Sequence, residues 1–173
     1  MREDDVLENN THISRSALEA IHDQVFGWAL SRCDYEHVVA EDLVQQTYVE
    51  LLTGRAKFQG RSSLKTFVFS VVQNLARSRF RRLASRMRLV QEVKRNTIEE
   101  PVASIAPAEN PALWQAVQSL PQRQRDIIEL VFCRDITIEE ASRVMGVTTG
   151  TGRVHYDRAK KALRASLADG VER

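Results

Sequence analysis

Residues 137–165 read TIEEASRVMGVTTGTGRVHYDRAKKALRA. Ile138, Ala141 and Val144 recur at the spacing of one helix face, and Thr137 stands where an N-cap belongs. Gly146 falls at a turn, where a left-handed backbone costs a glycine nothing. Val147 is placed to plug between two helices, and Thr148 caps the second. Along that second helix Val154, Ala159, Ala162 and Leu163 are expected to face inward. A helix, a short glycine turn and another helix make a helix-turn-helix. Its second helix can enter the major groove, with residues near the N-terminus reaching base edges. Thr149, Thr151, Arg153, His155 and Arg158 supply the donors that this use requires. A helical hairpin with ordinary surface charges carries the same signature, so the rest of the chain has to decide.

Immediately upstream, Leu120–Pro121 opens a helix carrying Ile127, Ile128, Val131 and Phe132. Asn110 as cap and Pro111 as first helical residue start a shorter one through Leu113, Trp114 and Val117. Residues 96–111 have the composition of a linker, because Pro101, Pro107 and Pro111 break any helix there.

The front of the chain is helical as well. Segment 16–32 opens with Ser16 and has Glu19 three residues on, the spacing of a capping box. Leu18, Ile21, Val25 and Ala29 follow at helical spacing. Segment 38–52 puts Val39, Leu43, Thr47 and Leu51 on one stripe and Glu41, Asp42, Gln45, Gln46 and Glu50 on the other face. Gly54 stops it, and Gly60 lies in the loop beyond. Ser62 or Ser63 then caps a third helix, whose stripe is Leu64, Phe67, Val68, Val71, Val72 and Leu75. From Arg77 that helix changes to RSRFRRLASRMR, with Arg77, Arg79, Arg81, Arg82, Arg86 and Arg88. Arginine forms bidentate bonds to phosphate and to guanine edges, so this run suits nucleic acid.

The charge distribution points the same way. The 173 residues carry a net charge of only +2, with 43% hydrophobic and 28% charged residues. Yet residues 1–52 hold three basic and eleven acidic side chains, whereas 53–95 hold twelve basic and one acidic, Glu92. Residues 96–119 are net −3 and 120–173 net +2. A block as one-sided as 53–95 is an electrostatic footprint for phosphate. No apolar run approaches the roughly 20 residues of a membrane span. The acidic start MREDDVLENN is unlike a secretory signal. Cys33 and Cys133 lie too far apart to frame a disulfide-built domain, and a reducing cytoplasm is the expected compartment. His12, His22, Cys33 and His37 lack the paired spacings of a zinc site, so no metal is expected. GVTTGTG has no phosphate-loop lysine, and no nucleophile with a base can be argued, so neither cofactor nor catalysis is expected. Cys133 is expected to be a buried small hydrophobe, and Met87 and Met145 to pack in the core or the linker.

Two stretches are together recognisable. AEDLVQQTYVELL (40–52) followed by KFQGRSSLKTFVFSVVQNLARSRFRR (57–82) resembles region 2 of the extracytoplasmic-function sigma factors, group 4 of the sigma-70 family. LPQRQRDIIELVFCRDITIEEASRVMGVTTGTGRVHYDRAKKAL (120–163) is similar to their region 4. The resemblance implies an all-α chain of two small helical domains. They are a region 2 bundle at 14–95 and a region 4 helix-turn-helix at 112–168, with an acidic tail at 1–13, a flexible linker at 96–111 and a tail at 169–173. It implies that Asp42, Gln45 and Gln46 dock on the clamp of core RNA polymerase. Phe58, Arg61 and Asn74 fall at the part that opens the −10 element and holds a flipped base, with Arg77, Arg79 and Arg81 on its basic continuation. On the −35 side the resemblance implies Arg153, His155, Asp157 and Arg158, beside Thr149 and Thr151. The implied partners are core polymerase, promoter DNA and an anti-sigma factor, without membrane insertion.

Two residues depart from the family's habit. Phe67 stands where tryptophan is frequent, and it can fill the same core site. Gly152 stands where a β-branched residue is usual. Inside a helix it costs about 1 kcal/mol, and it implies either closer backbone approach to DNA or a loosened helix. A stand-alone helix-turn-helix regulator would account for residues 120–168 but leave 38–82 without a role. A sigma-like decoy that binds only an anti-sigma protein would have no use for the arginines after Asn74.

Overall fold

The structure, a computed structural model, describes residues 13–91 and 110–171. Residues 1–12 of the expected tail 1–13, residues 92–95 and linker residues 96–109 lie outside them, and so do the last two residues. The chain divides into two units between Ser104 and Ile105, each with its own core. Among the described residues all regular structure is helical, as the periodicity predicts.

The first unit packs α1 (Arg15–Ser31), α2 (His37–Leu52) and α3 (Leu64–Gln91) against one another. Trp28 holds the three-helix core. It is completely buried, and its indole N–H donates to the carbonyl of Phe69 at 3.2 Å. A buried indole needs such an acceptor, since an unpaired donor there costs about 1–3 kcal/mol. Val25, Leu43, Val44, Leu51, Val68 and Val72 close around it. Each such side chain contributes about 1.5–3 kcal/mol when fully buried. The cap of α1 is Ser14, whose hydroxyl accepts from Ala17 N, and not Ser16. Ser16 already lies within the helix, and Glu19 pairs with Arg15 at 2.8 Å instead of closing a capping box. The start of α3 follows expectation, with Ser63 Oγ accepting from Thr66 N. Ile13, at the end of the expected tail, is buried. Met87 is 59% exposed, so it packs in no core, and Phe80 and Leu83 on the same stretch of α3 are exposed too.

The second unit comprises α4 (Pro111–Gln118), α5 (Gln122–Ile128), a π-helical turn (Glu129–Cys133), α6 (Ile138–Met145) and α7 (Thr149–Val171). Asn110 caps α4 with Pro111 at its first position. Ile127, Leu130, Ala141, Val144, Met145 and Ala159 form the core. Arg125 donates to the carbonyls of Gln118 and Leu120, tying the end of α4 to α5. Arg123 donates to Met145 O at 3.1 Å and fastens α5 to the end of α6. The π turn interrupts what the sequence reads as one α-helix. Across it Leu130 is buried while Phe132 stands outward at 63% exposure. Cys133 is likewise exposed, contrary to the expectation of a buried thiol.

Candidate nucleic-acid and protein interfaces

On α2 burial falls on Ala40, Leu43, Val44, Thr47 and Leu51. Thr47 is tolerated in the core because its hydroxyl donates to Leu43 O at 2.8 Å. This packing leaves Asp42, Gln45 and Gln46 exposed, three and four residues apart and therefore on one face. Glu41 beside them is exposed as well. These four side chains are polar and two of them are acidic, and the exposed Val38 and Val49 flank them on α2.

The loop from α2 to α3 turns twice through a left-handed backbone, at Gly54 (φ 69°) and Gly60 (φ 68°). Between the glycines Phe58 folds onto Phe67, with ring centroids 5.2 Å apart. Phe67 is thus half-buried beneath the loop and positions it over the first turn of α3. Arg61 is exposed on the same loop.

Asn74 is exposed, and Arg77 and Arg81 follow it at three and seven residues, so these three line one side of α3. With its amide oxygen turned to Arg77, the buried Gln73 accepts from Nε (3.2 Å) and Nη2 (3.3 Å) and steadies that guanidinium. Gln73 went unmarked in the sequence because its position reads only as polar. Arg79 points elsewhere, being two residues on from Arg77 and half-buried. Its charge reaches Cys33 after α1, where it partly offsets the upward push of burial on that thiol.

The helix-turn-helix is built as its sequence reads. Thr137 Oγ1 accepts from Glu140 N at 3.2 Å, and Glu140 accepts from Thr137 N at 3.0 Å, a closed capping box. Gly146 is left-handed (φ 66°), and Val147 N returns to Ser142 O at 3.0 Å. Thr148 Oγ1 accepts from Thr151 N at 3.2 Å and starts α7.

Two residues of α7 differ from expectation. Val154, expected inward, is 47% exposed. Gly152, expected either to approach DNA or to loosen the helix, is buried against α6. A Cβ at position 152 would collide with Ser142 Oγ and lie 3.1 Å from Ser142 Cβ. The glycine is what lets the two helices cross this closely. Both differences have one cause: α7 packs through Gly152 and Ala159, and Val154, two residues from the glycine, is turned away from that contact.

Arg153, Asp157, Arg158 and Thr151 are exposed, while Thr149 and His155 are half-buried. Tyr156 stacks on Phe132 (6.1 Å), and Lys160 lies 5.0 Å over the Tyr156 ring. This aromatic pair ties α7 to the π turn. The turned-out Phe132 that makes it possible lies in the π turn, which no sequence signal announced. His22 Nδ1 and Tyr48 OH, 2.9 Å apart, join α1 to α2, so this histidine has a structural partner. His12 lies outside the described residues.

The family described as Sigma-70 region 2 matches residues 17–86, and Sigma-70, region 4 matches residues 111–163. The chain is 31% identical to the ECF RNA polymerase sigma factor EcfG of Rhodopseudomonas palustris, over 77% of this chain and 74% of that one. It is 28% identical to the ECF RNA polymerase sigma factor SigF of Caulobacter vibrioides, over 95% and 92%. Its fold is similar to that of the sigma factor RpoE in complex with the anti-sigma factor NepR from Bartonella quintana. The TM-score is 0.69 at 23% identity, covering 89% of this chain and 96% of that one.

Proposed function

We infer the working of this chain from its membership: it belongs to the extracytoplasmic-function sigma factors, specificity subunits of RNA polymerase within the sigma-70 family. It is an alternative sigma factor and not an enzyme, and bond formation belongs to the polymerase. A stand-alone helix-turn-helix regulator is disfavoured because residues 17–86 match region 2. A decoy is disfavoured by the arginines along α3, a run suited to phosphate.

The single observation that carries the detailed reading is the placement of Asn74, Arg77 and Arg81 along one side of α3. In our reading residues 14–95 bind core polymerase and open the −10 element, 96–111 link, and 112–168 read the −35 element. The α2 face of Asp42, Gln45 and Gln46 docks on a basic surface of the core, since opposite charge aids encounter and register. Asn74 receives a flipped base, Phe58 and Arg61 hold the adjoining strand, and Arg77 and Arg81 meet phosphate, whereas Arg79, on the other side of α3, is left out of that contact. On α7, Thr149, Thr151, Arg153, His155, Asp157 and Arg158 contact the −35 duplex.

The partners are core polymerase and promoter DNA. An anti-sigma factor is a third, supported by the relative solved in complex with one. The chain works in the cytoplasm, where its polymerase is. No helix among the described residues is long and apolar enough to cross a membrane. The test is reconstitution. Mixed with sigma-free core polymerase, the chain should co-elute with it and start transcription at a defined position on a promoter library. A chain that binds DNA alone but never the core would overturn the reading.

A further inference from the structure

Val154 sits at the centre of the exposed face of α7. Each residue turns a helix by about 100°, so Val154 is turned about 200° from Gly152 and its contact with α6. Asp157 and Arg158, three and four residues on, are exposed beside it, and Gly150, four residues back, is exposed before it. At Gly150 the fold leaves room for a side chain: an added Cβ would have only Thr148 Oγ1 near it, at 3.9 Å. Neither glycine nor valine is a good helix former, and neither can pair with water or ions. Together they make a short strip without polar groups or long side chains, framed by Arg153, Asp157 and Arg158. The strip lies in the first two turns of α7, the part of a recognition helix that reaches base edges.

We propose that Val154 is a specificity-determining residue that packs its methyl groups on the C5-methyl of a thymine in the −35 element, with Gly150 permitting the close approach. Thymine alone among the bases presents a methyl group in the major groove. The contact withdraws two apolar groups from water, and a cytosine at that position would leave the valine against a polar amino edge. The inference rests on α7 being the −35 reading helix and adds a base identity to it.

The test uses the full chain reconstituted with core polymerase. A promoter library randomised across the −35 region first yields the preferred sequence. Each thymine of that sequence, on either strand, is then replaced by deoxyuridine, which removes one methyl group and keeps every hydrogen bond. One replacement should weaken promoter binding about fourfold, the worth of one buried methyl-sized group. Val154→Ala should bind the thymine and deoxyuridine promoters equally, and its own selected sequence should lose the thymine preference. A −35 element in which no thymine methyl matters would overturn the proposal. So would a methyl effect that persists unchanged in Val154→Ala. Failure of the wild-type chain to initiate with core polymerase would instead overturn the sigma-factor reading itself, and the proposal with it.

Discussion

Ser142 Oγ occupies the space that a side chain at residue 152 would need, so the serine of α6 and the glycine of α7 form one steric unit. Ser142 is held there by its own hydrogen bond to Ile138 O at 2.6 Å. The pair therefore sets how closely α7 lies on α6.

Exchanging the two residues tests this unit. Gly152→Ala alone should destabilise the second unit, because overpacking a filled contact costs about 1–3 kcal/mol. Adding Ser142→Gly removes both clashing atoms and leaves only Ile138 O, at an ordinary 3.7 Å. A double-mutant cycle in urea unfolding should show the double variant more stable than Gly152→Ala. Simple addition of the two losses would mean that the helices do not meet here.

Asp42→Arg reverses a charge on the exposed face of α2 without touching the core. It should weaken co-elution with core polymerase while leaving thermal unfolding unchanged. Unaltered affinity for the core would move the docking face elsewhere.

Asn74→Ala separates opening from binding. An asparagine offers a donor and an acceptor to a base edge. Extruding a base costs a few kcal/mol that contacts to it must offset. Permanganate reactivity of the −10 region should fall more than closed-complex binding in a gel shift. Equal loss at both stages would speak against a base pocket at this residue.

Arg153 and Arg158 should behave differently. They are five residues apart on α7 and both exposed, but they point in different directions. Arg153 is nearer the helix start, and a bidentate guanine contact there is worth about 1–3 kcal/mol of discrimination. Arg153→Ala should flatten preference across single-base −35 variants. Arg158→Ala should weaken all of them and lower the salt slope by about one. An even loss with Arg153→Ala would pass the reading role to His155.

Burial pushes the thiol of the half-buried Cys33 above the ordinary cysteine range, with Arg79 offsetting part of the push. A raised pKa keeps the neutral thiol as pH rises, and the thiolate is the nucleophile. At pH 8 iodoacetamide should therefore alkylate Cys33 more slowly than it alkylates free cysteine. A rate equal to that of the free amino acid would show that this thiol is not shielded.

The features readable along the string are local ones. Thr137, the left-handed Gly146, Thr148, Ser63 and Asn110 were legible because a cap bonds within three residues of itself, while Glu140, which closes the box on Thr137, went unread. The acidic face of α2 and the arginines of α3 were legible because helical period and charge are properties of the string. The exception among the caps, Ser14 in place of Ser16, shows that neighbouring hydroxyls compete within a turn and that spacing alone does not choose between them. What only the tertiary structure decided is the direction in which α7 faces. An apolar residue and a glycine two positions apart admit either orientation. The string assigns the core to Val154, whereas Ser142, ten residues before Gly152, assigns it to the glycine. The π turn and the outward Phe132 belong to the same class. Both depend on how surfaces from separate elements fit, and shape complementarity across a packed interface is not written in the period of either partner.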